Sequence, residues 1–116
     1  MPATEEPGIR IVEQERPITI RHAHAGDADA IVNLLPLLGY LAEPHEIVFR
    51  LERMAREPNN ILLVADMDGL VVGLCQIQGV RLIASEGYAE INVLVVRASH
   101  QGRGIGKTLV DAALGW

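Results

Sequence analysis

The sequence predicts an α+β fold (mixed α/β), a mostly antiparallel sheet with helices, in the order β-α-α-β-β-β-α. Three observations predict it. The apolar runs Ile61–Met67 and Leu70–Ile83 are joined by Asp68-Gly69, a two-residue hairpin turn, and Tyr88–Val96 follows the turn Ser85-Glu86-Gly87. Ahead of these strands lie two stretches with apolar residues at helical spacing. Behind them, a glycine-rich turn opens a further helical pattern, Leu109, Val110, Ala113 and Leu114.

The elements follow in order. Residues 1–17 are charged, carry Pro2, Pro7 and Pro17, and read as a flexible leader or as an extra strand through Ile9, Ile11 and Val12. Residues 18–116 form the domain. Ile18–Ala23 alternates apolar and polar residues, as a half-buried strand does. Asp27 offers an N-cap to a helix whose stripe is Ile31, Leu34, Leu35 and Leu38. Pro36 should kink or end it, and Gly39 should stop it. Pro44 suits the first turn of a second helix, with Ile47, Val48, Leu51, Met54 and Ala55 as its buried stripe. Glu46/Arg50 and Glu52/Arg56 are spaced as ion pairs on its wet side. Gly73 and Gly79, inside the long returning strand, mark expected bulges.

Composition narrows the function. A length of 116 residues allows one domain. Apolar residues at 49% support a packed core, and aromatics at 3% make that core aliphatic. A net charge of −5 argues against general nucleic-acid binding, which rests on neutralising phosphates. Cys75 is the single cysteine, lies in an apolar run, and reads as a small buried hydrophobe. The apolar runs fall far short of the ~18 residues of a membrane span, so no membrane partner and a cytoplasmic location are expected. His22 and His24 share one strand face, but no third ligand lies nearby, so no metal site is expected.

The most informative stretch is Gln101-Gly102-Arg103-Gly104-Ile105-Gly106-Lys107, placed between a strand and a helix. The first N–H groups of a helix lack internal partners, and the helix dipole adds positive potential there. Glycines let that backbone approach a large anion. Arg97, Arg103 and Lys107 add charge, and no acid lies between Ile91 and Val110. Walker A fails because Gln101 stands where a glycine is required. The dinucleotide fingerprint fails because the third glycine comes one residue early, at Gly106, with Lys107 in its place.

The pattern Gln-x-x-Gly-x-Gly after an apolar strand resembles motif A of the GCN5-related N-acetyltransferases (the GNAT superfamily). Leu-Leu-Gly-Tyr at residues 37–40 and Val-Ala-Asp-x-Asp-Gly at residues 64–69 reinforce the resemblance, which covers residues 18–116. It implies a GNAT-like fold lacking the C-terminal strands and helix, since family members continue past the motif A helix and this sequence stops at Trp116. It also implies acetyl-CoA as co-substrate and an amine acceptor attacking the thioester directly. Gln101, Gly102, Arg103, Gly104, Ile105, Gly106 and Lys107 would hold the pyrophosphate. The backbones of Leu94, Val95 and Val96 would bond the pantetheine arm, with the Leu94 N–H polarising the acetyl carbonyl. Glu90 stands where histone-type members carry their general base.

A lysine-like amine has a pKa of ~10.4, so about one in a thousand is free base at neutral pH, a deficit of roughly 4 kcal/mol that a base offsets. In a regular strand, Glu90, Asn92, Leu94 and Val96 share one face. Glu90 then lies about 13 Å from Leu94, which favours a water relay over direct contact. Tyr40, between the helices, either lines the acceptor pocket or caps the core, and His100 is either a phosphate contact or simply exposed. The acidic balance favours a cationic acceptor. A second reading is an acyl-CoA-binding module or inactive remnant, and a third is a nucleotide-phosphate binder. The last strand, left as an edge, also suggests a homodimer by strand exchange.

Overall fold

The computed structural model describes residues 17–115, so the expected leader lies outside the described residues apart from Pro17. The strands among the described residues are β1 (Thr19–His22), β2 (Asn60–Met67), β3 (Leu70–Val80) and β4 (Tyr88–Val96). The α-helices among the described residues are α1 (Ala28–Leu34), α2 (Pro44–Met54) and α3 (Ile105–Leu114). Short 3-10 turns occupy Ala25–Asp27, Leu35–Leu38 and Ala98–His100. The sheet order is β1-β2-β3-β4, every pairing is antiparallel, and the α+β expectation holds.

The sheet separates two aliphatic cores. On one face Ile31 and Leu34 of α1 and Ile47 and Leu51 of α2 pack on Val64, Leu74 and Val95. On the other face Ile105, Leu109 and Ala113 of α3 pack on Leu63, Val72, Cys75 and Ile77. Cys75 is fully buried there, and burial pushes its thiol pKa up. At Gly73 an added Cβ would sit 2.9 Å from Leu109 Cδ1, so the absent side chain is what lets α3 settle on β3. No helix among the described residues is long and apolar enough to cross a membrane.

Several local expectations hold. Pro36 ends α1 in the Leu35–Leu38 turn, and Gly39 follows at φ 86°. Asp68 and Gly69 both take positive φ, as a tight hairpin turn requires.

Others are corrected. Asp27 does not cap α1 through its side chain. It is buried and receives the His24 N–H at 2.9 Å together with two guanidinium hydrogen bonds from Arg21, each 2.9 Å. Burial is the largest single influence and raises the Asp27 pKa, but the Arg21 and His24 hydrogen bonds and charges outweigh it and hold the carboxyl below its ordinary value. Glu46 turns its carboxylate back to the Glu43 N–H at 2.8 Å, closing the start of α2. Strand β3 ends at Val80 rather than Ile83. Gly79 is not a bulge. The register break with β4 falls at Gln76/Ile77, where Val93 and Ile91 are paired and Asn92 is the extra residue. The second break, at Ala65/Asp66, leaves Val72, beside Gly73, as the extra residue.

Candidate active site at the β4 edge

The chain leaves β4 through the Ala98–His100 turn and reaches α3 by way of Gly102 at φ 80° and Gly104 at φ 81°. Both glycines are required by this left-handed backbone, since an added Cβ at either would meet nothing within 4 Å. Gly104 is the N-cap of α3 and carries no capping side chain. The first helical hydrogen bond runs from the Thr108 N–H to the Gly104 carbonyl at 3.0 Å. Among the described residues, the N–H groups of Gly102, Arg103, Gly104, Ile105, Gly106 and Lys107 have no protein acceptor. They line the start of a helix whose dipole favours an anion.

The side chains of this loop divide the work differently from expectation. Gln101 donates through Nε2 to the Val96 carbonyl at 3.0 Å, so it ties the loop to the strand end. Lys107 reaches along the helix to Asp111 at 2.8 Å, and that hydrogen bond raises its pKa. The acid that answers Lys107 lies one position beyond the acid-free window. Burial, followed by the charges of Arg103 and Arg97, pushes the His100 pKa down. The cationic field of the loop therefore comes from Arg97 and Arg103, with His100 between them.

The edge of β4 can be read from the ladder. Val96 is opposite Gly73, and the Arg97 N–H donates to the Val72 carbonyl at 2.7 Å. In an antiparallel pair, hydrogen-bonded and non-bonded rungs alternate. The rungs of Leu94 and Val96 are then non-bonded, and their N–H and C=O groups face away from β3. Val95 turns its backbone toward Leu74. Of the three residues expected to offer backbone to a ligand strand, Leu94 and Val96 face the open edge and Val95 does not. The Val96 carbonyl is already held by Gln101, which leaves both groups of Leu94 and the Val96 N–H.

The extra residue Asn92 reverses the placement of Glu90. Glu90 is opposite Gln78 and Val93 is opposite Gln76, so Glu90 shares a face with Val93 and Val95. It does not share the face of Leu94 and Val96, as a regular strand would require. The bulge also shortens its separation from Leu94 to three rungs, about 10 Å at ~3.3 Å per residue. Asn92 Nδ2 donates to Glu90 Oε1 at 3.2 Å.

That face of the sheet opens into a cavity of about 300 Å3 between the sheet and the first two helices. Tyr40 lines it, as do Leu35, Met54, Leu74 and Val93. Arg50 and Gln76 also line it, and the sequence reading missed both. Arg50 looked like the partner of Glu46, whose carboxylate is engaged by Glu43. Gln76 gave a usable signal, being a lone polar residue between Cys75 and Ile77 in an apolar strand. Among the described residues no group of three or more His, Cys, Asp or Glu is placed to hold a metal ion.

The acetyltransferase (GNAT) family profile matches residues 28–116, from α1 through the anion loop and α3. The chain belongs to the GNAT acetyltransferase family. Solved structures agree in fold. A GNAT family acetyltransferase from Staphylococcus aureus superposes with a TM-score of 0.75 at 20% identity, covering 84% of this chain and 76% of that one. A transcriptional regulator from Bacillus halodurans gives 0.74 at 26% identity, covering 85% and 73%. Glucosamine-6-phosphate N-acetyltransferase from Arabidopsis thaliana gives 0.76 at 17% identity, again covering 85% and 73%. No curated protein sequence matches the chain. The GNAT assignment gives the open N–H groups and the β4 edge a common context: this is the fold and family of an N-acetyltransferase.

Proposed function

We propose that this GNAT domain transfers the acetyl group of acetyl-CoA to a primary amine by direct attack. The observation that carries the reading is the set of unpartnered N–H groups from Gly102 to Lys107, beside a strand edge that presents Leu94 and Val96. The loop amides would bind the diphosphate, with Arg97 and Arg103 adding charge. The edge of β4 would receive the pantetheine arm as an added strand, through Leu94 and the Val96 N–H. The Leu94 N–H would hydrogen-bond the thioester oxygen as charge develops on it. The amine would arrive from the cavity face, where Glu90 takes its proton through water. Nitrogen then bonds to the carbonyl carbon, the C–S bond breaks, and the second proton shed by nitrogen passes to the departing thiolate, so CoA leaves as the free thiol.

The test is release of free CoA thiol from acetyl-CoA over a panel of amines. Turnover is expected, and Glu90→Gln should lower kcat about a hundredfold, the low end of general-base effects. Its acetyl-CoA affinity should be unchanged. Saturable acetyl-CoA binding with no turnover for any amine would favour the binding-module reading instead. ATP binding in preference to CoA would reject both.

A further inference from the structure

The cavity beside Val93 has a chemistry that the overall charge of the protein does not suggest. Its walls are mostly aliphatic, from Leu35, Leu51, Leu74 and Val93 among others, with Tyr40 and Met54 beside them. Among the described residues, no aspartate or glutamate lines it, and Arg50 is its one cationic side chain. Among the described residues, Arg50 has no hydrogen-bond or ion-pair partner, and Glu46 turns its Oε1 to the Glu43 N–H. Gln76 donates its amide to Asn60 Oδ1 at 3.1 Å, which leaves its carbonyl oxygen to accept a hydrogen bond. Gln76 is opposite Val93 and two rungs from Glu90, so the residue lines the cavity beside β4. A volume of about 300 Å3 is at the small end for ligand pockets, and fits one compact molecule rather than a folded partner.

These groups sort by chemistry. The aliphatic walls take a hydrocarbon body. A guanidinium binds a carboxylate through parallel N–H donors. An amide oxygen accepts from an amine nitrogen. We infer that the acceptor is a small apolar amino acid, its carboxylate on Arg50, its side chain in the aliphatic cavity, and its amine toward Gln76 and the β4 edge. The inference rests on the acetyltransferase reading for the fate of the amine, and replaces the cationic acceptor that net charge favours. The groups that line the cavity decide, since exposed charges more than a Debye length away are largely screened by salt.

The experiment is an NMR titration of the full chain with L-leucine, leucinamide and 3-methylbutylamine, followed by the same series in the acetyl-CoA assay. L-leucine should bind at least tenfold more tightly than the two compounds without a carboxylate, a difference of about 1.4 kcal/mol. Arg50→Gln should erase that preference without changing affinity for 3-methylbutylamine, and Arg50→Lys should restore part of it. Equal binding of the three compounds, absence of L-leucine binding, or an unchanged preference in Arg50→Gln would overturn the inference. Carboxylate-dependent binding without acetyl transfer would leave the amino-acid site standing and remove the transferase. Transfer to all three at equal kcat/KM would do the reverse.

Discussion

The three α-helix starts among the described residues are finished in two different ways. The turn leading into α1 is closed by Asp27, which accepts the His24 N–H, and α2 by Glu46, which accepts the Glu43 N–H. The start of α3 has no acidic residue and no side-chain cap, only the left-handed Gly104. A carboxylate at a helix start satisfies N–H groups and meets the positive end of the dipole, so it stabilises the fold. The same carboxylate would occupy and repel at a site meant for a phosphate. The first two starts are built for stability and the third is kept open for a ligand.

That comparison is broken most directly by closing the open start. Gly104→Asp should weaken acetyl-CoA binding about thirtyfold, or ~2 kcal/mol, the upper end for a charge at a helix terminus. Gly104→Asn, similar in shape but uncharged, should lose less, as calorimetric titration would show. Equal losses would mean that shape and not charge governs the site. Next in size is Asp27→Asn, expected to lower unfolding free energy by about 2 kcal/mol in a denaturant titration. Arg21 is 28% exposed, so water can partly replace the lost partner. The pH dependence has a definite sign. The folded pKa of Asp27 lies below the unfolded value, so its contribution is present above the usual carboxylate range and is lost as pH falls through the folded value. Wild type should therefore lose stability on acidification more steeply than Asp27→Asn.

Glu46→Ala should cost about 1 kcal/mol of stability, within the range for a capping element, with no change in acetyl-CoA affinity. A change in affinity would show that the two kinds of helix start are not independent. The smallest effect is expected for Lys107→Ala. Its side chain is exposed and its ammonium engaged with Asp111, so acetyl-CoA affinity should change by about twofold or less, as for a surface pair.

Much of the domain was legible in the sequence because the signals were local. Asp68-Gly69 names its own turn, Pro36 ends its own helix, and the glycines before Lys107 sit between a plain strand and a plain helical stripe. What escaped was set by distant partners. Asp27 reads as a cap until Arg21 and its two hydrogen bonds are seen. Arg50 reads as a surface ion pair until Glu46 proves to be engaged elsewhere. The bulge at Asn92 has no signature of its own, because it exists only in the register between β3 and β4. It alone moves Glu90 to the cavity face, so the motif could be read but the aim of its base could not.

Gly73 touches no proposed ligand, yet it governs how far apart the two ends of the site stand. Its bare backbone lies under Leu109 and under Ile105, the first residue of α3. Leu109 is fully buried and has little room to yield. One methyl group at position 73 would act as a shim, raising the helix and its row of amides while β4 stayed in place. The spacing between a diphosphate cradle and a thioester cradle is thus calibrated by a hydrogen atom on the underside of the sheet.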